Sequence, residues 1–121
     1  MTTDHRRTTW ETYATAWKQP SRQAKQAALA ASAADGCVYR DPLTQTEGHD
    51  ALIAYMESFH AQLPGGHFET VYFLAHHDRS IARWNMRDGD GAIVGEGVSY
   101  GEYDAHGKLV AMTGFFEAPP A

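Results

Sequence analysis

The hydrophobic pattern of this chain changes period once, at Gly66, and that change fixes the class of fold open to it. Before Gly66 apolar residues recur three and four positions apart, as on helices. After it they alternate, as on strands with one buried face. Three polar turn segments divide the later part: His77-Asp78-Arg79, Asp88-Gly89-Asp90-Gly91 and Asp104-Ala105-His106-Gly107. They delimit expected strands over 67–75, 80–87, 92–103 and 108–117, joined as consecutive antiparallel hairpins. Helices followed by a run of strands make an α+β domain, with helices on the concave face of a curved sheet.

Three helices are expected ahead of the sheet. Thr8 and Glu11 have the spacing of a capping box, and Trp10, Tyr13, Ala14 and Trp17 follow at helical intervals. The first helix is therefore expected to open near Thr8, leaving 1–7 as a flexible terminus. Three large aromatics on one short stripe suggest that one of them lines a cavity. Pro20-Ser21 starts a second helix, whose Ala24, Ala27, Ala28 and Ala31 form a small-residue face as far as Asp35-Gly36. The third runs over about 49–63. Leu52, Met56, Phe59 and Leu63 share a face with Ile53 and His60 beside them, and Pro64-Gly65-Gly66 ends it. A lone histidine in such a place is more often a hydrogen-bonded core or pocket residue than a metal ligand.

Between the second and third helices lies a short strand, Cys37-Val38-Tyr39-Arg40-Asp41, stopped by Pro42. Alternation puts Cys37, Tyr39 and Asp41 on one face, and the proline restricts Asp41 to extended backbone at the last strand position. Two uses are open to such a carboxylate: general-base chemistry facing an interior, or capping the turn that follows. Residues 43–48 read as loop. In the long strand from residue 92, Gly95, Gly97, Ser99 and Gly101 share a face that ends at Tyr103. Interior strand glycines either leave room for a cavity or permit sharp bending, and a bent sheet closed by helices satisfies both.

At 121 residues the chain makes one domain with its own core. A net charge of −5 and ten scattered Lys and Arg offer no track for phosphates, so nucleic acid is not an expected partner. Nor is a membrane, since no apolar run reaches spanning length. The single cysteine and the lack of a leader-like N-terminus suggest a soluble protein of a reducing compartment, the cytoplasm. The histidines show no ligand spacing, so no metal or other cofactor is expected.

Trp10-Glu-Thr-Tyr-Ala-Thr-Ala-Trp17, Tyr39-Arg-Asp-Pro-Leu43, Gly48-His-Asp-Ala-Leu52, Arg83-Trp84 and the run Gly107 to Phe116 together resemble SnoaL-like proteins of the nuclear transport factor 2-like superfamily. That superfamily also includes ketosteroid isomerases, polyketide cyclases and limonene-type epoxide hydrolases. The resemblance spans Trp10 to Glu117 and implies the NTF2-like, cystatin-like cone. It further implies a general base at Asp41 and an oxyanion-binding phenol at Tyr13. The second acid of ketosteroid isomerases is replaced here by Ser99. Arg83-Trp84-Asn85 lacks the acid of the epoxide hydrolases, and the later-strand carboxylate of the cyclases has no counterpart on the glycine-rich face.

Two functions follow, because one fold hosts several chemistries. One is a cofactor-independent isomerase or cyclase-like enzyme acting on a small apolar carbonyl compound. Asp41 would be its base, with a pKa raised by apolar surroundings, and Tyr13 would hold the developing enolate oxygen. Trp17, Met56, His60, Trp84 and Ser99 would complete the pocket. The other is a non-catalytic ligand-binding or interaction module. A homodimer formed sheet against sheet would cover the convex face through Val94, Val98 and Tyr100.

Overall fold

The computed structural model describes residues 3–117, with side chains over 5–117. Its elements run α1 (Thr3–Ala16), α2 (Arg22–Ser32), β1 (Ala33–Asp41), β2 (Thr44–Glu47), α3 (His49–Gln62), β3 (His67–His76), β4 (Arg79–Arg87), β5 (Ile93–Tyr103) and β6 (Leu109–Phe115). The four hairpin-linked strands appear where alternation puts them. Three boundaries differ from expectation. Helix α1 starts at Thr3 instead of near Thr8, and the Thr12 hydroxyl donates to the Thr8 carbonyl at 3.0 Å inside the helix. Most of the expected flexible terminus is thus helical, and Met1 and Thr2 lie outside the described residues. Helix α2 stops at Ser32, and Ala33 and Ala34 already belong to β1. The 43–48 loop contains a short strand, β2, paired antiparallel with β1 from Val38↔Glu47 to Asp41↔Thr44.

The six strands form one mixed sheet in the order β2-β1-β6-β5-β4-β3. All neighbours are antiparallel except β1 and β6, which run parallel with Tyr39 opposite Met112. Register shifts interrupt β1–β6, β3–β4, β4–β5 and β5–β6, and irregularities of this kind bend a sheet and increase its twist. Helix α1 packs on β3 and α2, while α2 and α3 pack against β1. The shared core contains Trp10, Tyr13, Leu29, Cys37, Leu52, Ile53, Met56, Leu109 and Met112. Ser21 caps α2 by accepting from Ala24 N–H at 3.1 Å. Gly48 opens α3 with φ +84, which a residue bearing Cβ would adopt only under strain.

Candidate functional site

Asp41 ends β1 and is half-buried. One carboxylate oxygen, Oδ1, accepts from the Leu43 and Thr44 backbone N–H groups at 2.8 and 3.1 Å, which fixes the turn into β2. The other, Oδ2, faces the aromatic side of the cone and accepts two phenols: Tyr39 at 2.7 Å and Tyr55 at 2.8 Å. Both uses that the sequence left open therefore coexist in one side chain. Tyr39 shares the face of Asp41 by strand alternation. Tyr55 comes from α3, three residues after Leu52 and four before Phe59 on the same inward stripe.

Behind this carboxylate the cone is filled with rings. Trp17 lies 5.6 Å from Tyr39, 6.0 Å from Tyr55, 5.6 Å from Phe59 and 5.3 Å from Phe68, the last three edge to face. Phe68 in turn meets the Trp84 ring edge to face at 4.9 Å. Such pairs add modest attraction beyond the area that they bury. Two open, shallow clefts of the described surface lie elsewhere: about 530 Å3 beside Arg6, His77 and Tyr103, and about 380 Å3 beside Asp35 and His49.

The residues expected at the site fall into three groups. Asp41, Ser99 and Trp84 stand together: Trp84 Nε1–H donates to Ser99 Oγ at 3.0 Å, and both Ser99 and Asp41 border Gly114. Tyr13 and Trp17 form their own buried pair, with Trp17 Nε1–H donating to the Tyr13 hydroxyl at 3.0 Å, so the phenols on Asp41 are Tyr39 and Tyr55. Met56 is wholly enclosed in the core, and the half-buried His60 ring donates through Nε2 to the Trp17 carbonyl at the end of α1. His60 is thus a hydrogen-bonded residue that ties α3 to the end of α1, and Met56 is a core residue.

The glycine-rich face of β5 has a specific use. A Cβ on Gly97 would collide with the Trp84 ring and come within 2.6 Å of the Phe115 carbonyl. One on Gly101 would meet Leu109, Ser80 and Trp10 at 3.0–3.3 Å. The room left by these glycines is taken up by neighbouring side chains.

Burial raises the pKa of Tyr13, Tyr39 and Tyr55 well above the ordinary phenol value. For Tyr55 the hydrogen bond to Asp41 adds to this, and for Tyr39 the nearby Tyr13 and Asp41 do. All three stay protonated at neutral pH, and Tyr39 and Tyr55 act on Asp41 as hydrogen-bond donors and not as sources of a proton. Among the described residues no group of His, Cys, Asp and Glu is placed to hold a metal ion, and no helix is long and apolar enough to cross a membrane.

The sequence profile of the SnoaL-like domain matches residues 10–112. No functionally curated protein matches the chain significantly. Among solved structures, a protein named as a candidate isomerase of the SnoaL-like family from Agrobacterium tumefaciens superposes with a TM-score of 0.87 at 23% identity, over 95% of this chain and 99% of that one. A candidate polyketide cyclase from Sinorhizobium meliloti gives 0.69 at 12%, covering 88% and 93%. A protein with a ketosteroid isomerase-like fold from Catenulispora acidiphila, solved with trimethylamine, gives 0.73 at 12%, covering 90% and 85%. Others are described as NTF2-like or cystatin-like. Identities this low establish the fold alone, an α+β NTF2-like cone, while the profile match over most of the chain establishes the family: this protein is a member of the SnoaL-like domain family.

Proposed function

We propose that this protein is a cofactor-independent acid–base enzyme acting on a small, largely apolar carbonyl compound. The observation that carries the reading is Asp41 Oδ2, which receives the Tyr39 and Tyr55 hydroxyls on the aromatic side of the cone. A carbonyl oxygen entering beside Tyr55 competes with Oδ2 for the phenolic hydrogen. Its capture of that hydrogen bond frees a lone pair on the carboxylate. Asp41 then takes the proton from the carbon next to the carbonyl, and the C–H electron pair moves into the enolate. The enolate oxygen accepts from Tyr55, a donor already in place and unable to ionise at neutral pH. Return of the proton from Asp41 to another carbon of the conjugated system completes an isomerisation, with no electrons gained or lost.

In this reading Trp84 and Ser99 line the approach, while Tyr13, Trp17, Met56 and His60 form the back wall. The donor role assigned to Tyr13 by resemblance passes to Tyr55, which is the phenol in contact with the base. A single free thiol, Cys37, fits a reducing compartment such as the cytoplasm.

A non-catalytic binding module is the second reading. What favours it is that four donors of the protein itself already occupy the Asp41 oxygens. Asp41→Asn separates the two. Solvent-deuterium exchange into a panel of small ketones and lactones should fall by about 10²–10⁴-fold in the variant if Asp41 is the base, with affinity changed only a few-fold. Exchange at the wild-type rate in Asp41→Asn would put the binding module in front.

The same reading includes a homodimer. Tyr72, Leu74, Ile81, Val94 and Phe115 are exposed on the sheet, and Leu74 and Ile81 are cross-strand partners on the face away from the helices. Arg79 and Arg83 share that face with Glu96 and Glu102, so two copies related by a twofold axis can match opposite charges.

A further inference from the structure

Gly114 is the one strand glycine beside Asp41, and none of the usual reasons for glycine applies to it. Its φ is not positive. A Cβ placed on it would find only ordinary contacts: Asp41 Cβ at 3.6 Å, Tyr39 Oη at 3.7 Å and Ser99 Oγ at 3.8 Å. Alanine would fit there without strain, and it would favour the strand, since glycine weakens strand interiors. The contrast with Gly97 and Gly101 is sharp, because at those positions neighbouring side chains fill the room.

The position of Gly114 gives its empty face a meaning. Gly114 pairs with Ser99 on β5, and on its other side stands Asp41, which follows the Arg40 partner of Thr113. It therefore lies between Asp41 and Ser99 in a row across the sheet. Asp41 Cβ and Ser99 Oγ both lie within 4 Å of the place where a Gly114 Cβ would stand, with Tyr39 Oη beside them, so all three side chains border the same small space. Two of the three atoms that border this methyl-sized room are polar, a phenol oxygen and a serine hydroxyl, and the third is the Cβ that carries the Asp41 carboxylate. An apolar void would demand no such lining, whereas a substrate oxygen or the carbon attached to it would. Asp41, Ser99 and Tyr55 are half-buried, so none of the three is sealed from solvent.

We propose that Gly114 is a specificity-determining position: the space over its Cα receives the reacting carbonyl end of the substrate, between Ser99 Oγ and the Asp41–Tyr39 pair. This rests on the acid–base reading above and deepens it. Ser99 Oγ, already accepting from Trp84, has its own proton to donate to a bound oxygen. The space is the size of one methyl group, so it admits the carbonyl oxygen alone, and it excludes substrates branched at the carbon next to the carbonyl on that side.

The test uses Gly114→Ala in the full chain, with cyclohexanone and a series of unbranched and branched small ketones as probes. Two measurements are made, deuterium exchange into the ketone and displacement of the Trp84 indole N–H resonance on binding. In the wild type the resonance should shift with the unbranched ketones. In Gly114→Ala the fold and melting temperature should be retained, while ketone affinity and exchange both fall by about tenfold or more, the usual worth of one misplaced carbon in a fitted pocket. Wild-type binding and exchange in Gly114→Ala would overturn the inference, and so would a Trp84 resonance in the wild type that no ketone of the series moves. If Asp41→Asn keeps full exchange while Gly114→Ala still loses binding, the assignment of the base fails and the assignment of the pocket is upheld.

Discussion

Four donors share the two oxygens of Asp41, and two of them are buried or half-buried phenols with no other acceptor for their protons among the described residues. Asp41→Ala should therefore lower stability by roughly 2–3 kcal/mol in urea denaturation, because each donor loses a charge-assisted bond. Asp41→Asn keeps an oxygen for the turn N–H groups and should cost less. A loss as large in Asn as in Ala would mean that the turn contributes little. The tyrosines give a pH signature. Burial raises Tyr103 to about 12 and Tyr13, Tyr39 and Tyr55 further, whereas an unfolded phenol titrates near 10. The folded state thus prefers the protonated phenols. Their contribution is complete below about pH 10 and is lost as pH rises from there through the folded values. Tyrosinate absorbance of these four should appear only together with loss of near-ultraviolet circular dichroism. Ionisation near pH 10 in a still-folded protein would contradict it. Tyr39 was legible beside Asp41 from alternation alone. Tyr55 was not, because a Tyr on a helix stripe reads as packing until the strand end opposite it is known.

At the scale of elements, Gly97 and Gly36 provide a matched pair. A methyl at Gly97 runs into Trp84 and the Phe115 carbonyl, so Gly97→Ala should cost about 1–3 kcal/mol through overpacking. Gly36 has nothing within 4 Å of its Cβ position, and Gly36→Ala should be neutral or slightly stabilising in thermal melts. Equal effects at both would show that β5 relaxes freely around Trp84. The long alternating strands and α3 could be read from the sequence because their patterns persist over many residues. Strand β2 could not: Thr44-Gln45-Thr46-Glu47 has no apolar alternation and exists because β1 offers an edge. Ala33 and Ala34 favour helix locally, yet pairing of Ala33 with Leu109 draws them into β1, so tertiary contact overrode propensity. The face of glycines on β5 was rightly located, but which neighbours would fill it depends on rotamers that no spacing encodes.

For the whole molecule, the exposed apolar face of the sheet predicts association. Light scattering should report a dimer at micromolar concentration, and Ile81→Lys, placing charge on a side chain 40% exposed, should shift it to monomer without unfolding it. A wild-type monomer would remove the sheet-to-sheet dimer. The parallel pairing of β1 with β6 has a further consequence, which runs through Cys37. That thiol is 1% exposed on β1, and burial raises its pKa, so a disulfide reagent meets neither the atom nor its reactive thiolate in the closed state. Its strand is flanked by β2 on one side and β6 on the other. Labelling of this one sulfur therefore waits for the helices over β1 to part from the strand that β2 and β6 hold in the sheet, and its rate serves as a clock for that opening.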